Sequence, residues 1–310
     1  MTTPILPQRP AAPAARAFPV DRGARRGYLL VLAAALCWAT SGTFVRLIVE
    51  RYGVAAWTLA FWRDCLTFSV YLAASLVAGA GRLRVAPRDL LPLAAMGGVS
   101  IGIFHVIWVM AVTMIPVAVA TVLNYTAPAF VVLFAWALWG ERPSRRQTAA
   151  LALAFLGCLL VTGAYNLADE QLNWPGILVG LSTGLTYGLF TILGKNVLRR
   201  YSSGTVLTYA FGFATLTLLL LNPRAGLAML AEPWQAWAWL AALVLISTVS
   251  GFALYARGLK ALSASSASIT ATIEPVLAAG VAFALLGQVI GVVQMLGGLL
   301  VIAAVILLAL

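Results

Sequence analysis

The sequence predicts an all-α integral membrane protein in which ten transmembrane helices form two inverted five-helix repeats. Three observations carry that expectation. The 310-residue chain is 62% hydrophobic and 9% charged, with a mean hydropathy of +0.98, whereas soluble domains are about 25% charged. Its apolar residues form continuous runs of helix length, not the alternating ~10-residue segments of a barrel. Finally, Ile115 to Arg142 (IPVAVATVLNYTAPAFVVLFAWALWGER) has a counterpart 147 positions later, Leu262 to Val289. Pro128 falls on Pro275, Gly140 on Gly287 and Gln147 on Gln294. A duplication with so long a period marks a chain built from two copies of one membrane unit.

Residues 1–26 hold Pro4, Pro7, Pro10, Pro13, Pro19 and five arginines without apolar periodicity, so a disordered cytoplasmic tail is expected there. The apolar run after Arg25 and Arg26 is ~20 residues long, which suits an uncleaved first span better than an export signal. Spans are expected near 27–49, 55–78, 90–112, 115–138, 147–165, 175–197, 203–222, 234–256, 263–286 and 288–310. They divide into a first repeat, 27–165, and a second, 175–310.

Basic residues orient these spans. The tail and even-numbered connections carry Arg9, Arg16, Arg22, Arg25, Arg26, Arg82, Arg84, Arg88, Arg142, Arg145, Arg146, Lys195, Arg199, Arg200, Arg257 and Lys260. The opposite side has Arg51 and Arg224, with Arg46 near a helix end, and a loop with Asp169 and Glu170 that lacks any basic residue. Both termini are therefore expected in the cytoplasm, with the protein in the cell inner membrane. Five spans per copy is an odd number, so the copies must insert upside down relative to each other. The charges agree: Arg142, Arg145 and Arg146 align with Val289, Val292 and Val293, and Thr113 aligns with Lys260. At an offset of 149 the front halves align as well, Trp38 on Tyr187, Arg46 on Lys195, Arg51 on Arg200 and Tyr52 on Tyr201.

Several function classes are disfavoured by composition. The net charge of +11 comes from residues between apolar runs with no aromatic-interleaved patch, so no nucleic-acid partner is expected. Cys37, Cys65 and Cys158 lie inside apolar runs without CxxC spacing, which gives neither a disulfide framework nor a metal site. No cofactor is expected. An intramembrane enzyme would need HExxH, GxSxG or clustered carboxylates, and one histidine with one central acid does not supply them.

At LNYTAPAFVVLFAWALWGE (Leu123 to Glu141) and ATIEPVLAAGVAFALLGQ (Ala271 to Gln288), within two five-helix halves, the chain resembles the EamA-type exporters of the drug/metabolite transporter superfamily. It looks most like the YddG-type aromatic amino-acid exporters. The resemblance covers nearly the whole chain after the tail. It departs from the family at Gln288, where the family usually has Glu, as Glu141 stands in the first half. The resemblance implies a monomeric chain in the bilayer that exports small amphiphilic metabolites, amino acids including aromatic ones. A nucleotide-sugar or phosphate-ester antiporter of the same fold remains the alternative.

Alternating access needs two halves that rock about a central site, with helices able to bend there. Pro128 and Pro275, near the centres of spans 4 and 9, each remove a helical N–H and free a carbonyl four residues back, on Asn124 and Ala271. They are the candidate hinges. Thr121, Asn124, Tyr125 and Pro128 share one face of span 4, and Ser263, Ser266, Thr270 and Glu274 one face of span 9. Polar faces in lipid are costly, so both should turn inward. Glu274 is the acid nearest mid-span and a candidate for a cationic group or a coupling proton. Arg63 and Asp64 in span 2 are expected to be structural, and His105, with Trp108 on its face, a candidate site residue. Trp38 aligns with Tyr187 and Trp108 with Tyr255, pairs that pseudo-symmetry would bring to opposite walls of one cavity, where stacking and cation–π attraction suit amphiphilic ammonium solutes. The candidate substrate-binding set is thus Trp38, His105, Trp108, Asn124, Tyr125, Tyr187, Tyr255 and Glu274.

Overall fold

The chain folds as a bundle of long apolar helices, several of them interrupted, in a computed structural model that describes residues 22–165, 174–286 and 289–309. In chain order, α1 is Arg22–Ala39 continued as Ser41–Tyr52, α2 is Ala56–Val77, and α3 joins Pro87–Ala94, Ala95–Ile103 and Phe104–Met114. Helix α4 joins Val117–Asn124 and Ala127–Trp139, and α5 is Arg145–Thr162. Helices α6 and α7 are Trp174–Leu198 and Ser203–Leu221. Helix α8 joins Trp234–Ala242, Leu243–Ser250 and Gly251–Ala261, α9 joins Ala264–Ala271 and Glu274–Leu286, and α10 is Val292–Ala309.

Among the described residues, eight helices are long and apolar enough to cross a membrane, and α2 and α5 are not among them. Both occupy their expected places, with 22 and 18 residues. Arg63 and Asp64 lower the hydropathy of α2, and Arg145, Arg146 and Gln147 that of α5. Arg22 to Arg26, expected in the tail, form the first turns of α1. Extending the helix past the apolar run satisfies the backbone through the interface, where arginines can snorkel. The remainder of the tail, the loop holding Asp169 and Glu170, and Gln288 lie outside the described residues.

The 147-residue period recurs in the interruptions themselves. The middle segment of α3, Ala95–Ile103, and that of α8, Leu243–Ser250, are both wide π-helical stretches. In α8 the hydroxyls of Thr248 and Ser250 bond the carbonyls of Leu243 and Leu245 five residues back, at 3.2 and 2.8 Å. In α3 the cause is a close approach: a Cβ on Gly97 would come within 2.1 Å of the Ala210 carbonyl oxygen on α7. The breaks of α4 and α9 also coincide after shifting by the period. Gln147 opens α5 by accepting the Ser144 N–H at 2.9 Å, and Gln294 accepts the Gly291 N–H at 2.9 Å before α10.

Packing follows the same exchange. Helix α1 lies along the last segment of α8 as α6 lies along the middle and last segments of α3, and α6 meets α4 as α1 meets α9. Helices α2 and α7 pair with each other, as do α5 and α10. Swapping the repeats therefore returns the same pairings. The main core draws on α1, α3, α4 and α6 to α9, with Trp38, Phe190, Phe211 and Tyr255 in it.

Candidate functional site

Aromatic rings from both repeats meet at the centre. Trp38 lies one turn short of the bend in α1, where Thr40 Oγ1 donates to the Cys37 carbonyl at 2.7 Å and shares a 2.8 Å hydrogen bond with Ser247. The Trp38 ring centroid is 6.4 Å from Tyr187, 5.3 Å from Phe252 and 5.1 Å from Tyr255. Phe104 links Tyr187, at 6.1 Å, to Trp108, stacked at 6.5 Å. Such pairs contribute about 0.5–1.5 kcal/mol each beyond their burial. The seat for Trp38 depends on Gly251, where a Cβ would come within 2.6 Å of the indole Nε1.

The sequence-derived pairs fare differently. Trp38 and Tyr187 touch, as the alignment suggested. Trp108 reaches the cluster through Phe104 and packs against Ala111, Ile115 and Ala120. Tyr255 is 1% exposed, and its hydroxyl bonds Thr191 at 2.8 Å, so it is packed wall in this conformation. Phe104 and Phe252 were missed. Phe252 falls 147 positions after His105, and extending the repeat alignment to that position would have flagged it.

The helix breaks bring polar groups to the same centre. Helix α4 ends its first half at Asn124; the Thr126 N–H and hydroxyl both bond the Leu123 carbonyl, at 3.2 and 2.6 Å. In α9 the Thr272 hydroxyl bonds the Ile269 carbonyl at 2.6 Å. Pro128 and Pro275 are each the second residue of the following half-helix, where a missing N–H leaves no bond unmade. The prolines thus start new half-helices and do not kink continuous ones. The backbone of α6 comes close at this point, since a Cβ on Gly184 would sit 2.7 Å from the Leu123 carbonyl oxygen.

Glu274 opens the second half of α9, where the positive end of the helix dipole favours a carboxylate. Its carboxyl interacts with the Tyr125 hydroxyl and with Arg63. Asn124 Oδ1 is buried with no hydrogen-bond partner among the described residues. Arg63 Nε donates to Thr248 Oγ1 at 2.9 Å, and the guanidinium faces Asp64 and Glu274. Asp64 is fully buried, with Oδ2 3.2 Å from His105 Nδ1 and Oδ1 unpartnered. Neighbours on a helix point ~100° apart, which is how Arg63 turns to α8 and α9 while Asp64 turns to α3. Arg63 and Asp64, expected to be structural, therefore belong to the same polar centre as His105 and Glu274. Adjacent opposite charges inside an apolar run were the available signal.

Among the described residues no three His, Cys, Asp or Glu side chains are grouped to hold a metal. A separate apolar groove of about 350 Å³ lies between α2 and α7, lined by residues that include Phe68, Leu72, Tyr209 and Phe213. None of the candidate residues lines it, and its lack of polar donors makes it a poor seat for a charged solute, so the chemistry is placed at the aromatic centre.

Interrupted apolar helices flanking an enclosed aromatic and charged centre define a membrane-transporter architecture. The chain belongs to the EamA-like transporter family, whose profile matches residues 25–163 and again 174–310. A probable terminal-alkyne amino-acid exporter of Streptantibioticus cattleyicolor is 29% identical over 87% of this chain and 89% of its own length. An uncharacterized transporter of Archaeoglobus fulgidus is 28% identical over 71% and 76%. The pseudopaline exporter CntI of Pseudomonas aeruginosa is 25% identical over 92% and 96%. A solved crystal structure shares the fold with a TM-score of 0.72 at 19% identity, covering 91% of this chain and 95% of its own.

Proposed function

We propose that the protein is an inner-membrane exporter of small amphiphilic metabolites, chiefly amino acids including aromatic ones. It works by alternating access between two inverted repeats of five crossings each, with α2 and α5 completing the ten and both termini in the cytoplasm. The observation that carries this reading is the contact of Trp38 with Tyr187, equivalent residues of the two repeats, beside the Glu274 carboxyl. The exporters among its relatives, one of them named for an amino acid, support the substrate class.

In this reading the substrate ammonium meets Glu274 and the unpartnered Asn124 Oδ1, with the aromatic faces around it. The substrate carboxylate lies toward the N-terminal end of Ala127–Trp139, whose first N–H groups lack helical partners. An aromatic side chain stacks on Trp38, Tyr187 or Phe104. A nucleotide sugar would need several free cations for its phosphates. Arg63 is the basic group described at this centre, and Thr248, Asp64 and Glu274 already engage it.

A cell assay tests this assignment. Bacteria producing the protein should survive several-fold more p-fluorophenylalanine than cells with an empty vector, and should release more of it when preloaded. Unchanged survival and release, with the protein present in the membrane, would reject it.

A further inference from the structure

The polar centre has an unbalanced charge. Asp64 and Glu274 bring two carboxyl groups and Arg63 one guanidinium, all enclosed by apolar helices. A buried centre with two anions and one cation lacks one positive charge, and uncompensated charge at such depth costs several kcal/mol. The page also shows where a proton would sit. His105 is 13% exposed and 3.2 Å from a fully buried Asp64, whose other oxygen has no partner.

We propose that the Asp64 and His105 pair is a proton-binding site, and that its proton leaves as the substrate ammonium enters beside Glu274, one for one. This rests on the transporter reading above and adds the energy source: proton antiport. The balance is simple, because one proton departs to the aqueous side facing the site and one ammonium takes over its charge. Arg63 connects the two ends, since it faces both carboxyl groups. When the ammonium neutralises Glu274, Arg63 is freed to compensate Asp64, and the proton is no longer needed.

The neighbouring titratable groups are few. Cys65 on α2 faces Asp64. Around Glu274 stand Tyr125 on α4, Cys158 on α5 and Tyr187 on α6. Tyr255 on α8 is bonded to Thr191. Helix α7, which packs on α2 and α3, has Tyr209, bonded to the Leu83 carbonyl at 2.9 Å. None of these is a cation that could replace the proton.

The test is proton release from the full-length protein in weakly buffered detergent on adding phenylalanine, beside counterflow of labelled phenylalanine in proteoliposomes at equal pH. Wild type should release about one proton per molecule and should accumulate phenylalanine when an opposing pH gradient is imposed. Asp64→Asn should release less than a fifth as much, and Asp64→Glu should restore the release. Counterflow without proton release by wild type overturns the proton site alone. So does Asp64→Asn releasing as much as wild type, or the failure of a folded Asp64→Glu to release. Absence of wild-type counterflow overturns the substrate class, and this inference with it.

Discussion

Glu274 is the residue on which substrate recognition turns. It stands at the start of a half-helix, in contact with Tyr125 and Arg63. Glutamine keeps its shape and its capacity to hydrogen-bond Tyr125 but removes the negative charge that attracts an ammonium. A hydrogen bond to a charged group contributes about 1.5–3 kcal/mol, so Glu274→Gln should lower phenylalanine uptake about 10- to 100-fold. Size-exclusion profile and melting temperature in detergent should stay near wild type, and unimpaired uptake would remove Glu274 from the mechanism. At this scale the sequence showed Glu274, Trp38 and Tyr187 clearly, because an acid in an apolar run and paired aromatics are both rare. It did not show that Asp64 meets His105. That contact joins residues 41 positions apart on separate helices, and no local pattern encodes it.

Elements meet through small residues as much as through large ones. Where α5 crosses α10, a Cβ on Gly157 would sit 2.7 Å from the Gly297 carbonyl oxygen, and one on Gly297 would sit 2.7 Å from the Val161 nitrogen. Without a hydrophobic drive between helices in lipid, such backbone contact supplies the packing. Gly157→Leu should therefore destabilise the protein by ~1–3 kcal/mol. Gly280→Leu, with nothing within 4 Å of its Cβ, should stay within about 0.5 kcal/mol of wild type. Equal melting temperatures for the two variants would contradict this packing. The prolines give a prediction of the opposite kind. Pro128→Ala and Pro275→Ala break no hydrogen bond, so stability should hold. Each lets α4 or α9 run through its break, and transport should slow about tenfold, equivalent to ~1.4 kcal/mol on the barrier. Element positions were legible from apolar run lengths and the two prolines. The π-helical middles of α3 and α8 were not, because they arise from a glycine meeting Ala210 and from hydroxyls reaching back five residues.

At the scale of the whole molecule, the exchange of equivalent pairings between the repeats is the main result. It leaves one end of the bundle tied asymmetrically. Asp89 at the start of α3 accepts from Arg200 and from the Tyr201 hydroxyl, both at 2.6 Å, and Lys260 donates to the Tyr201 carbonyl at 3.0 Å. The repeat partner of Asp89 is Ala236, which can form no such clasp. Duplication was readable because a 147-residue period preserves proline, glycine and glutamine landmarks. The charge asymmetry between the copies was readable from the arginine counts. The measurement that tests the account most directly is uptake of radiolabelled phenylalanine into proteoliposomes, challenged with unlabelled threonine, lysine and a nucleotide sugar. The account predicts saturable uptake that unlabelled amino acids block and the nucleotide sugar does not. Absence of amino-acid flux, with exchange of the nucleotide sugar in its place, would contradict it.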